Sequence, residues 1–234
     1  MKRIFVPTRT ASDWQRLLAK PKLHWKKGRS AMTTAACWDA ANGQLPAEIT
    51  RAFESSNEPE LTNLQLLVAF PEWEVPLPGG ENSSFTDVLA LATNTLGLVA
   101  IAVEAKVDEE FGPTLLTKRT DASSDQKKRI DHLHKVLHLK SPLPDAIRYQ
   151  LLHRTASALS TAEEFHAKTA VMLVHSFSPT ARWREDYMAF SSAMGARPLS
   201  DSICVVPGFG RPKLYLAWCA GNKKFLEVEL PSVV

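Results

Sequence analysis

Cysteine is scarce in this chain, and the three present, Cys37, Cys204 and Cys219, form no CxxC pair. Their wide spacing and odd number exclude a readable zinc ribbon or disulfide framework and leave buried, reduced thiols as the expectation. Long apolar runs are also missing. None approaches the ~20 residues that span a bilayer, and the basic start Met1–Pro7 has no apolar core of signal-peptide length. The cytoplasm is the expected compartment, with no membrane partner. Nor does charge of one sign dominate: 28 Lys and Arg against 25 Asp and Glu leave a net +3. That is no bulk polycation, so an argument for nucleic acid has to rest on local clusters. Three catalytic signatures are absent too. There is no HExxH and no Gly-x-Ser-x-Gly, and Gly208-Phe-Gly210 lacks the strand-to-helix setting of a dinucleotide loop.

What remains is an ordinary globular composition, 44% apolar and 23% charged, in 234 residues. That length suffices for a sizeable core. No repeat, low-complexity block or strong linker divides it, so the reading is one domain over 1–234, with N-terminal helices over 12–54 and a core over 61–234. The spacing predicts helices over Asp13–Ala19, Ser30–Ala41 and Pro46–Phe53. Strands follow at Leu64–Phe70, with Trp73–Val75 as its extension, at Ser84–Leu91 and at Gly97–Val107. Residues 108–124 read as irregular or weakly helical. Helices over Asp125–Leu139 and Asp145–Ala167, a strand over Thr169–Ser176, a helix over Trp183–Met194 and a strand over Lys213–Cys219 complete the order, with a tail strand at Phe225–Leu230. Such an order suggests an α/β fold, a mixed sheet flanked by helices on both faces.

The most informative run is Gly97-Leu-Val-Ala-Ile-Ala-Val-Glu104-Ala-Lys106. It is a buried strand that ends in a carboxylate and an ammonium spaced i, i+2, and so on one face. A buried charge needs a partner or a metal. A hairpin to the preceding strand brings Asp87 close to Glu104. Two carboxylates beside a lysine suit a hard cation such as Mg²⁺ or Mn²⁺ and the hydrolysis of a phosphodiester. A structural ion pair is the competing reading.

The Asp87…Glu104-Ala-Lys106 constellation resembles the PD-(D/E)xK, or restriction-endonuclease-like, nucleases. The runs Gly79–Val88, Ile101–Gly112 and Ile147–Thr155 further resemble an uncharacterised bacterial family within that superfamily, and the likeness extends over most of the chain. The resemblance implies a restriction-endonuclease-like mixed central sheet flanked by helices. It also implies a metal-dependent nuclease hydrolysing DNA, with Asp87 and Glu104 as metal ligands and Lys106 as the catalytic lysine. Two departures stand out. Thr86 replaces the proline of the motif, and the first core helix offers Asp39 but no glutamate, with Glu81 as a candidate substitute. A catalytically impaired nucleic-acid or protein binding module, and a phosphoesterase for smaller substrates, are the alternatives.

Other candidates are weaker. On one helix face, Gln150, His153 and Arg154 share i, i+3 and i+4 spacing. RecB-type members of the resembled superfamily carry a glutamine on this helix, which implies a catalytic-site role for Gln150. Arg154 is read either as a phosphate ligand or as a member of an exposed ion pair. Lys118, Arg119, Lys127, Lys128 and Arg129 form a basic cluster that suits a phosphate backbone or simply a solvated helix start. Lys20–Arg29 is a second such cluster. Asp131, His134 and His138 have chelating spacing, against a solvated helix face as the plainer reading.

Overall fold

The computed structural model describes residues 10–79 and 83–234. A 3-10 turn (Ala11–Leu17) and helices α1 (Pro21–His24), α2 (Ser30–Ala40) and α3 (Ala47–Glu54) lead into three long strands. These are β1 (Gln65–Val75), β2 (Ser84–Asn94) and β3 (Gly97–Lys106). Helices α4 (Leu115–Arg119), α5 (Ser124–Val136) and α6 (Tyr149–Glu164) carry the chain to β4 (Thr169–Ser176). Helix α7 (Arg184–Ala193) then precedes β5 (Arg197–Pro198), β6 (Ile203–Val206) and β7 (Lys213–Ala220).

Among the described residues the strands form a seven-stranded sheet in the order β1-β2-β3-β4-β7-β6-β5. It is antiparallel toward both edges and parallel through β3, β4 and β7. Alternation along β3 sorts its side chains between two cores. Val99, Ile101 and Val103 pack with the N-terminal helices, while Ala100 and Ala102 pack with α5 and α6. All eight residues of β4 are buried, as a parallel strand covered on both faces must be. The fold is α/β, with a mixed sheet between helical layers. No helix among the described residues is long and apolar enough to cross a membrane.

Local chemistry explains where the elements depart from expectation. Helix α5 starts one residue early because Ser123 Oγ accepts the Gln126 N–H and Gln126 Oε1 accepts the Ser123 N–H. Helix α6 begins at Tyr149 rather than Asp145, since the preceding residues bind residues 113–116 instead: Leu115 N–H donates to Ile147 O, and Thr114 bridges Arg148. From there on Leu151, Leu152, Ala156, Leu159 and Ala162 are buried as the periodicity requires. The tail strand does not form. Residues Lys223–Glu227 make a 3-10 turn with Phe225 buried, and beyond it Gln15 fixes the backbone by accepting the Val233 N–H at 2.7 Å. Strands β5 and β6 went unread because two and four residues hold too little alternation to count.

Leu151 is fully buried between α6 and the sheet, whereas Leu116 is 55% exposed on α4. Leu151→Ala is expected to cost about 2–5 kcal/mol in urea denaturation, and Leu116→Ala less than about 0.5 kcal/mol. Equal losses at the two positions would contradict the assigned core.

Candidate active site

Strands β2 and β3 pair from Asn94↔Gly97 as far as Val88↔Val103 and then separate. Beyond that point β2 pairs only with β1, to Ser84, and β3 only with β4, to Lys106. The split leaves a notch with Asp87 on one lip and Glu104, Ala105 and Lys106 on the other. Splitting a ladder orphans backbone donors, and Asp87 answers this: its Oδ2 accepts the Ala105 N–H at 2.7 Å.

Alternation turns Glu104 and Lys106 toward α6, and the two side chains meet there, with Lys106 Nζ donating to Glu104 Oε1 at 2.7 Å. Helix α6 closes the site from above. Gln150 Nε2 donates to the same oxygen at 2.7 Å, and Arg154 Nε donates to Glu104 Oε2 at 2.5 Å. The Arg154 guanidinium also donates to Ser84 Oγ at 2.7 Å, and that hydroxyl lies 3.1 Å from His153 Nδ1. Glu104 is 2% exposed and Lys106 6% exposed. Burial works against a charge on Glu104, but the Arg154 and Lys106 cations and their hydrogen bonds outweigh it and hold the carboxyl at about 2.

A residue that sequence reasoning missed completes the acidic side. Glu72 stands on β1 with φ +51°, a left-handed conformation that glutamate adopts at a cost of about 1 kcal/mol or more. It interrupts the strand alternation, so that Phe70 and Trp73 both pack toward α6. Burial first, and the Asp87 charge second, push the Glu72 carboxyl up to about 8. Burial and then Glu104 push Asp87 up to about 7. Pro71-Glu72 reads in sequence as a break between two strand pieces, which hid the carboxylate.

The charge pattern decides what the site can hold. Once both ionise, Glu72 and Asp87 carry more negative charge than their surroundings balance, a condition that a hard divalent cation relieves. Both oxygens of Glu104 are already taken. The donors therefore fit such a cation at Glu72 and Asp87, and Glu104 joins them only once Arg154 turns away. Among the described residues no ready group of three ligand atoms within 4.8 Å of one another lies at this notch.

Asp87, Glu104, Lys106, Gln150 and Arg154 thus come together. Arg154 corrects the exposed-ion-pair reading: it is buried, and its ion pair is with Glu104. Lys127 and Lys128 are exposed, the latter paired with Asp125 at 3.2 Å. Arg129 instead fastens the segment after β1 by donating to the carbonyls of Leu77 and Pro78. The chelating stripe dissolves because α5 ends at Val136, and His138 stacks on Phe209 with centroids 4.7 Å apart. In the Lys20–Arg29 cluster Trp25 is buried and Lys27 pairs with Glu227 at 2.9 Å. Glu81 lies outside the described residues.

Residues 7–223 match the model of DUF6946, a domain of unknown function, and the chain belongs to that family. No curated protein and no solved structure matches it.

The two carboxylates of the notch should respond oppositely to neutralisation. The folded chain keeps a proton on Asp87 up to about pH 7, whereas the unfolded chain releases it near 3.8. Stability contributed here therefore falls as pH rises through that window. Asp87→Asn is expected to stabilise the protein by about 1–2 kcal/mol at pH 8, a gain that vanishes toward pH 4. Glu104→Gln leaves Arg154 and Lys106 unpaired and should cost about 3–5 kcal/mol at both pH values. Urea denaturation of the two variants at pH 5 and 8 checks the signs. An Asp87→Asn variant as damaged as Glu104→Gln would refute the assignment.

Proposed function

We propose that the β2–β3 notch is a hydrolytic centre for phosphodiesters, making the protein a Mg²⁺- or Mn²⁺-dependent nuclease that acts on DNA in the manner of the PD-(D/E)xK enzymes its sequence resembles. The observation that carries this reading is the meeting of Asp87, Glu104, Lys106 and Gln150 where the two strands part. Asp87 and Glu72 would hold the cation, with Glu104 once it is free. When bound, the cation supplies polarisation of the phosphoryl oxygen and a lowered pKa for water.

The chain's own residues do the rest. Lys106 Nζ is held between Glu104 and the Phe111 ring, 5.2 Å from its centroid, where it orients a water and balances charge developing on the phosphate. Gln150 keeps the Glu104 carboxylate in one orientation. Arg154 exchanges Glu104 for the scissile phosphate, a swap between two anions of similar hydrogen-bonding shape. The path for the nucleic-acid backbone is the cleft of about 280 Å³ beside the first turn of α6, lined by Gly79, Lys118, Gln126, Arg129 and Tyr149. Tyr149 adjoins Gln150 in the chain, and Lys118 Nζ lies 5.3 Å from its ring centroid.

One observation favours a second reading. With Arg154 and Lys106 seated on it, Glu104 is satisfied without a metal, as suits a nucleic-acid-binding module that no longer cuts.

Cleavage and binding assays separate the two. Wild-type protein is expected to cut DNA with Mn²⁺ or Mg²⁺, and Lys106→Ala to lose at least about 100-fold in rate while binding DNA and folding normally. Binding should weaken with salt at a log–log slope of about −0.9 per phosphate contact on duplex DNA. Lys127→Glu with Lys128→Glu should flatten that slope, a cleaner test than one including Arg129, which holds the backbone of Leu77 and Pro78. DNA or RNA bound but never cut across both metals would favour the binding module. No affinity for either at low salt would point to a smaller phosphoester.

A further inference from the structure

The opposite face of the sheet holds a second cluster, built from four elements. Cys37 comes from α2, Glu48 from the first turn of α3, His175 from the end of β4 and Cys219 from the end of β7. His175 and Cys219 are register partners on adjacent strands, so their side chains share a face. Glu48 Oε1 is the hub. It lies 3.5 Å from Cys37 Sγ, 3.4 Å from His175 Nε2 and 3.1 Å from the Asn222 N–H that it accepts. The ligand atoms of Cys37, Glu48 and His175 all lie within 4.8 Å of one another.

Two further observations set this group apart from an ordinary polar core. His175 is 0% exposed, its Nδ1 has no hydrogen-bond partner, and its Nε2 meets only the Glu48 carboxylate, at 3.4 Å. A fully buried imidazole with one nitrogen unpaired and the other loosely held is costly. The two distances from Glu48 Oε1 to Cys37 Sγ and His175 Nε2 also match edges of a tetrahedron. Bond lengths of about 2.3 Å to sulfur and about 2.0 Å to nitrogen and oxygen put tetrahedral sulfur and oxygen about 3.5 Å apart, and nitrogen and oxygen about 3.3 Å apart.

We propose that Cys37, Glu48 and His175 bind a borderline-soft divalent cation, zinc foremost, which fastens α2 and α3 to the end of β4. Thiolate, imidazole and carboxylate together select zinc over magnesium. The Asn222 N–H holds the carboxylate from outside the coordination sphere. With Cys37 only 2% and His175 0% exposed, the site lies inside the core and out of reach of a substrate, so the ion is structural. The site is independent of the nuclease reading, because it lies across the sheet from Glu104.

The full-length chain, stripped of metal under reducing conditions, is titrated with Co²⁺ and then Zn²⁺. One equivalent of Co²⁺ is expected to bind, giving the thiolate charge-transfer band and intense visible absorption of a four-coordinate ion, and Zn²⁺ should displace it and raise the Tm. Cys37→Ser and His175→Ala should weaken binding by at least about 100-fold, the upper end of what loss of an outer-shell partner costs. Cys204→Ser and Asp87→Asn should leave the band unchanged. If the first two variants do not fold, Glu48→Gln, which keeps the side-chain shape, should weaken binding in a folded protein. A wild-type chain that takes up neither metal, or a band that survives Cys37→Ser, overturns the proposal.

Discussion

The buried charge on Glu104 governs the arrangement around it. A carboxylate 2% exposed on a central strand cannot stand alone, and it is answered by Lys106 on its own strand and by Gln150 and Arg154 on α6. The bonds to α6 fix the helix in rotation and height against the sheet, which apolar packing of Leu151, Leu152 and Ala156 alone does loosely. Arg154 extends the connection through Ser84 to the start of β2. One carboxylate thus joins β3, α6 and β2, at the point where β2 and β3 lose their own hydrogen bonds. Removing Glu104 would leave Lys106 and Arg154 buried without their carboxylate, so the group hangs on that one residue.

Much of this was legible in the sequence, and for a definite reason. Strand alternation is strict, so the shared face of Glu104 and Lys106 followed from their spacing, and the hairpin register brought in Asp87. Periodicity likewise found α6 and its buried stripe. Failures came where tertiary partners outweigh local pattern. Arg154 on a polar helix face reads as solvated, and only the position of Glu104 across the domain buries it. Pro71-Glu72 reads as a break, whereas β1 runs through it by taking a left-handed backbone at Glu72. Cys37, Glu48, His175 and Cys219 lie too far apart in sequence for any spacing to announce them.

The two sides of the notch also differ in the space beside them. On the far side the N-terminal layer closes over the sheet, with Trp14, Trp25, Ala31 and Thr34 around a crevice of about 10 Å³ at Glu72 and Asp87. That space admits about one water or one ion. On the near side Gln150 and His153 are only half-buried, and the cleft past Tyr149 opens beside them. The acidic pair Glu72 and Asp87 thus borders the narrow crevice, while the roomier cleft lies beside α5 and the start of α6.

This geometry ties access to charge. Burial first, then the Asp87 charge for Glu72 and the Glu104 charge for Asp87, push both carboxyls up, so near pH 7 each holds a proton for much of the time. Glu104 stays ionised throughout because its cations are built into the fold. The notch thus separates one carboxylate whose charge is permanent and structural from two whose charge is conditional. A cation entering the crevice would favour ionisation of the conditional pair and so compete with their protons. A phosphate arriving through the cleft would compete with Glu104 for Arg154. The anion and the cation thereby act on opposite ends of one connected group, and each changes the field that the other meets.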